Sequence, residues 1–156
     1  MRDKRAFTAL ETITAFFVIG LLIAIIVLVI NPQRQISETR NSRRISDTGS
    51  ILEAISSYVI DNSEFPPGID GQLRVLGTAK SGCDVRCWSS LPVEIGTTDC
   101  LDLKLSLIPK YLNNIPTDPL LGTVEKTYYA VKKNNNNRIV VYSCGSELDK
   151  DLTISQ

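Results

Sequence analysis

Apolar and polar residues divide this chain into three regimes. Residues 7–30 are apolar almost without interruption and hold a single charge, Glu11. Residues 33–44 are polar on nearly every side, with Ile36 the exception. Apolar residues then return at helical spacing, as Ile51, Leu52, Ile55, Tyr58 and Val59. About 20 apolar residues at 1.5 Å rise cross a hydrocarbon core of ~30 Å, so the first regime predicts a bilayer-spanning helix. Pro32 predicts a kink or loosening where that run ends. The helix is then expected to resume at Gln33 and reach about Asp61, where Asp61-Asn62-Ser63 and Phe65-Pro66-Pro67-Gly68 stop it. A rod from Phe7 to Asp61 is about 80 Å long at 1.5 Å per residue. That is too long for one compact domain of this size, so half of it is expected to project.

Beyond the helix the pattern shortens. Residues 73–76 read as a short strand, and residues 127–131 and 138–142 as a strand pair whose turn is the Asn run at 134–137. Residues 101–112 fit helical and strand spacing equally, with Pro109 limiting any helix. The hairpin is expected to lay its apolar face on Ile51, Ile55 and Val59. The fold class that follows is α+β: a long N-terminal helix, its first half transmembrane, packed on a small antiparallel sheet.

Composition narrows the chemistry. Lys plus Arg and Asp plus Glu are 17 each, for a net charge of zero, and there is no His. A neutral balance gives no argument for nucleic acid as a partner. The absence of His excludes Ser-His-Asp and Cys-His catalysis and every His-based metal site, and no enzymatic chemistry is found. Arg34, Arg40, Arg43 and Arg44 suit anionic headgroups or DNA, but Glu38, Asp47 and Glu53 offer local partners, and a solvated helix face with ion pairs between subunits is the expected reading. Cys83, Cys87, Cys100 and Cys144 are an even set that reads as two disulfides with three connectivities. Free thiols and a four-Cys zinc site are the alternatives, and for zinc the spacing lacks paired C-x2-C knuckles. Trp88 is expected to pack on a bridge. Gly20 and Ala24 are a small-xxx-small pair that lets helices approach closely in lipid.

A carboxylate at the centre of a span costs roughly 2.5–3.5 kcal/mol, so Glu11 calls for a partner. Thr8 three residues earlier makes a capping box. The stretch Arg5-Ala6-Phe7-Thr8-Ala9-Leu10-Glu11, leading into the apolar run, also resembles the processing site of type IV pilins and of the pseudopilins of type II secretion, with Ala6 where that family usually has Gly. Asn31-Pro32 and the Tyr58-x-x-Asp61-Asn62-x-x-Phe65-Pro66 exit extend the resemblance. So does Tyr111-Leu112 with Ile115-Pro116-Thr117-Asp118-Pro119, which is similar to a segment of major pseudopilins.

The resemblance implies a leader at 1–6, a transmembrane and polymerisation helix at 7–30, its continuation at 31–62 and an extracytoplasmic β-containing head at 63–156. It implies that a prepilin peptidase cuts between Ala6 and Phe7 and that the new Phe7 amine is methylated. The amine of one subunit would then meet Glu11 of the next and set axial register in a filament outside the membrane. The implied partners are further copies of the chain, an assembly ATPase with its platform protein, and lipid; the N-terminus lies in the cytoplasm. Major pseudopilins bind Ca²⁺ through a C-terminal acidic loop, which makes Glu147, Asp149 and Asp151 candidates. Their longer loop is not matched and Lys150 intrudes, so a solvated tail without a cofactor is expected. The alternative of another class is a membrane-tethered extracytoplasmic binding module that does not polymerise.

Overall fold

The computed structural model describes residues 8–29, 31–87, 93–94 and 99–156. The chain divides into two compact units, Met1–Ile36 and Ser37–Gln156. In the first, α1 runs Ala9–Val29 with every described side chain exposed. Helix α2, Pro32–Asn62, begins within that unit and continues into the second.

The chain leaves helical geometry at Asn31, where a loosening is expected, and the reason is local. Asn31 is an N-cap: its Oδ1 accepts the Arg34 N–H at 3.2 Å and its carbonyl accepts the Gln35 N–H at 3.3 Å. Pro32 follows as the first helical residue, where its missing N–H leaves no bond unmade. Asn31-Pro32 therefore starts α2.

In the unit Ser37–Gln156, α2 buries Asn41, Arg44, Thr48, Ile51, Leu52, Ala54 and Ile55. The spacing is helical, and the stripe is polar at its start and apolar beyond. It lies on a five-stranded sheet of order β4-β1-β5-β6-β7. The strands are β1 Arg74–Leu76, β4 Cys100–Leu101, β5 Tyr129–Lys133, β6 Ile139–Ser143 and β7 Thr153–Ser155, while β2 Arg86–Cys87 and β3 Val93–Glu94 form a separate ribbon. The hairpin β5–β6 stands where alternation places it, one or two residues later in sequence. Asn137 takes a left-handed φ of 58° at its turn.

The sheet is mixed, not purely antiparallel: β4 pairs parallel to β1. A parallel neighbour needs a long crossover. The chain between β1 and β4 supplies it, and its described residues Cys83, Val85 and Cys87 pack on the sheet face away from α2. Alternation along the hairpin consequently feeds two cores. Tyr129, Val131, Ile139 and Val141 join Ile51, Leu52 and Ile55, whereas Ala130, Val140 and Tyr142 pack with Cys83, Val85 and Cys87. Residues 101–112 resolve into the end of β4 and a single turn, α3 Lys104–Leu107, started by Asp102 Oδ1 accepting the Lys104 N–H at 2.8 Å.

All four cysteines are in disulfides, Cys83–Cys100 and Cys87–Cys144, so the zinc reading falls. Both bridges hold the crossover segment to the sheet. Trp88 lies outside the described residues. The sequence separations are 17 and 57. The chain-entropy model predicts that losing the longer loop costs about 1 kcal/mol more than losing the shorter, on a base of about 2–5 kcal/mol. Urea unfolding of the paired serine variants, Cys87→Ser/Cys144→Ser against Cys83→Ser/Cys100→Ser, measures the order. The reverse order would mean that lost packing, not loop closure, dominates.

Candidate functional site

Two sets of residues stand out, one in each unit. In the first, Thr8 and Glu11 form a reciprocal cap. The Thr8 N–H and Oγ1–H both donate to Glu11 Oε2 at 3.0 Å, and the Glu11 N–H donates to Thr8 Oγ1 at 3.3 Å. This is the capping box the sequence predicts, and it places a carboxylate at the positive end of the helix dipole. The helix behind it, Ala9–Val27, is long and apolar enough to cross a membrane. Gly20 and Ala24 lie on its exposed surface. Ala6 and Phe7 lie outside the described residues.

In the second unit, the polar start of the α2 stripe builds a charged clamp. Arg44 is 0% exposed, as is the Asp118 side chain it meets. Its Nε donates to Asp118 Oδ2 at 2.6 Å and its Nη2 to Asp118 Oδ1 at 3.1 Å, a fork on a carboxylate. Its Nη1 reaches Asn41 Oδ1 at 2.9 Å and Glu147 Oε2 at 2.8 Å. One turn back, Arg40 donates to Glu147 through Nε at 2.6 Å and Nη2 at 2.5 Å, and Ser37 Oγ adds a bond to Glu147 Oε1 at 2.9 Å. Asn41 closes the set by pairing with the Glu147 backbone, donating to its carbonyl and accepting from its N–H.

The clamp ties three distant segments together. Asp118 Oδ1 also accepts the N–H groups of Leu120 and Leu121, each at 2.9 Å, so the same carboxylate that holds Arg44 shapes the loop after Pro119. Two glycines admit this approach. A Cβ on Gly145 would lie 2.3 Å from Asp118 Oδ2, and one on Gly122 would lie 2.3 Å from the Asp118 backbone nitrogen. Nearby, the buried Tyr129 hydroxyl donates to Asp47 at 2.8 Å, which fixes the hairpin to the next turn of α2.

Electrostatics follow from these contacts. Burial opposes the Arg44 charge, but its bonds to Asp118 and Glu147 outweigh it, and its pKa rises. The Arg40 guanidinium, with Arg44 and Ser37 behind it and burial opposing, holds Glu147 down at about 2. The chemistry available is structural: the charged oxygens of Asp118 and Glu147 are already occupied by donors.

The solvated tail expected from the sequence is corrected here. Glu147 is clamped, Leu152 is buried, and β7 pairs with β6. Asp149 and Asp151 are exposed, and Asp151 accepts from Thr153 Oγ1. Glu147, Asp149 and Asp151 do not converge, and among the described residues no group of three or more acidic, Cys or His side chains is placed to hold a metal ion. The solvated arginine face holds for Arg34 and Arg43, which are exposed, and is corrected at Arg40 and Arg44. Arg44 is interior, Arg40 is engaged by the tail, and Arg43 lies 3.8 Å from Asp47.

A depressed carboxylate stabilises the fold above its unfolded pKa, and that contribution is lost as pH falls through the folded one. Stability of this unit is therefore expected to decline between about pH 4.5 and about pH 2, the ordinary and clamped values for Glu147. Glu147→Gln should flatten that stretch of the pH profile, read by thermal unfolding of both proteins across it. An unchanged profile would assign the acid sensitivity to other carboxylates.

Comparison of the chain with protein-family models, with curated proteins and with solved structures finds no match.

Proposed function

We propose that this chain is a structural subunit of the type IV pilin or pseudopilin kind, which polymerises through its N-terminal helix after its leader is removed. One observation carries the reading. An apolar helix exposed on all sides begins with an acid held in its first turn, directly after a segment that resembles a prepilin processing site. A helix of this kind needs lipid or other helices around it, and a filament core replaces one by the other. A carboxylate at the start of such a helix is costly in hydrocarbon, and the freed amine of a neighbouring Phe7 would neutralise it at low dielectric. The α+β head, a helix laid on a small sheet, suits a pilin-like fold.

On this reading the chain enters the cytoplasmic membrane with its N-terminus inside and its head outside. A prepilin peptidase cuts after Ala6, and an ATPase with a platform protein moves subunits from bilayer to filament. The clamp gives the head an internal scaffold for that transfer, and the disulfides match an oxidising compartment.

Mass spectrometry of the N-terminus from native membranes tests the reading. A methylated Phe7 is the expected result. An intact Met1, with a chain that never enters a filament, would leave a tethered head as the function instead.

A further inference from the structure

The head carries an apolar cleft that the clamp does not use. Its volume is about 290 Å³, and Leu76, Leu103, Ile108, Ile115 and Val124 form its walls. Two opposite charges, Asp102 and Lys104, also line it. Both residues are exposed, and neither enters an ion pair with another described residue. Beside Lys104 stands Leu105, at 97% the most exposed large apolar side chain among the described residues. Val124, one of the walls, is 65% exposed.

A hole, an exposed leucine next in sequence to its lining and a plus–minus pair within that lining have a specific consequence. A two-fold contact buries the same patch of both partners, so each feature must meet its complement in the copy. This patch supplies the complements itself: Lys104 can face Asp102 of the copy and Asp102 its Lys104, while each Leu105 finds an apolar wall. We propose that the heads of two copies of this chain pair through this cleft in a closed, two-fold contact.

The pairing does not depend on the filament reading. A closed pair satisfies its own patch and cannot grow. It therefore describes the chain before any assembly, as a pair in the bilayer. The leucines at 120 and 121, 56% and 48% exposed, remain available to other contacts.

Charge reversal tests the pairing on the full chain in detergent micelles, with the dimer fraction read by sedimentation over a micromolar concentration series. The wild type is expected to dimerise. Asp102→Lys alone sets lysine against lysine across the axis, and Lys104→Asp alone sets acid against acid. Like charges then face each other across the axis, so each single reversal should weaken the dimer by about tenfold or more. The double variant Asp102→Lys/Lys104→Asp restores both pairs and should recover wild-type pairing to within about threefold. It also lacks the Asp102 bond to the Lys104 N–H, as the first single variant does, so recovery excludes misfolding as the cause of the single losses. Leu105→Asp should weaken the dimer without the charge pattern.

Three results overturn the proposal. They are a monomeric wild type, a double variant no better than the singles, or a dimer indifferent to every head variant, which would place the contact on α1. Filament formation, read separately by microscopy, is free to fail or succeed whatever the sedimentation result.

Discussion

Asp118→Ala is expected to destabilise the head by about 3–5 kcal/mol, the range for breaking a buried ion pair from one side. The Arg44 guanidinium is fully interior and would keep only Asn41 and Glu147 as partners. Two loop N–H groups, those of Leu120 and Leu121, would lose their acceptor in the same step. Since domains are stable by only about 5–15 kcal/mol, such a loss approaches unfolding. Replacing both partners has a different effect. Arg44→Met/Asp118→Asn removes the buried charges together and leaves an oxygen for the loop, so it should recover more than half of the single-variant loss. Urea unfolding of the three proteins, followed by near-UV circular dichroism, measures the comparison. A loss below about 1 kcal/mol for Asp118→Ala would mean that water reaches Arg44 and that the pair behaves as a surface bridge.

This pair also marks where sequence reading stops. The α1 helix was legible because its signal is local: an apolar run of sufficient length with one charge near its start. The hairpin was legible through its period-two alternation, and the even cysteine count predicted two bridges without their partners. Arg44 carried no such signal. In a polar stretch of α2 it reads like its exposed neighbours, and the carboxylate that buries it lies 74 residues away. Its spacing with Thr48, Ile51 and Ile55 does continue the buried stripe, but a charge at the head of an apolar stripe normally ends it. Glu147 was misread for the same reason: an acidic tail looks solvated unless its cations are known. The mixed sheet was not legible either, because a two-residue strand such as β4 has no periodicity and its direction is set by the crossover. Pro32 signalled the loosening at Asn31, and Asn31-Pro32 is also readable as N-cap and first helical residue.

Two substitutions at Glu11 separate its cap from the register role proposed for it. Glu11→Ala removes both the charge and the reciprocal bonds with Thr8. Glu11→Gln keeps a side chain able to complete a capping box but has no charge to offer a neighbouring amine. Neither change adds a cost in lipid, since an ionised group at depth is the expensive species, so both variants should insert like the wild type. Loss of a cap removes on the order of 1 kcal/mol from one helix end, too little to dislodge a span of this hydropathy. If the charge sets register between subunits, both variants should reach the membrane in wild-type amounts and yield no filaments, read by membrane fractionation and electron microscopy of sheared material. Filaments from Glu11→Gln but not from Glu11→Ala would make the cap, not the charge, the requirement. Normal filaments from Glu11→Ala would leave the acid without a part in assembly, and the apolar surface of α1 alone would then have to specify how subunits stack.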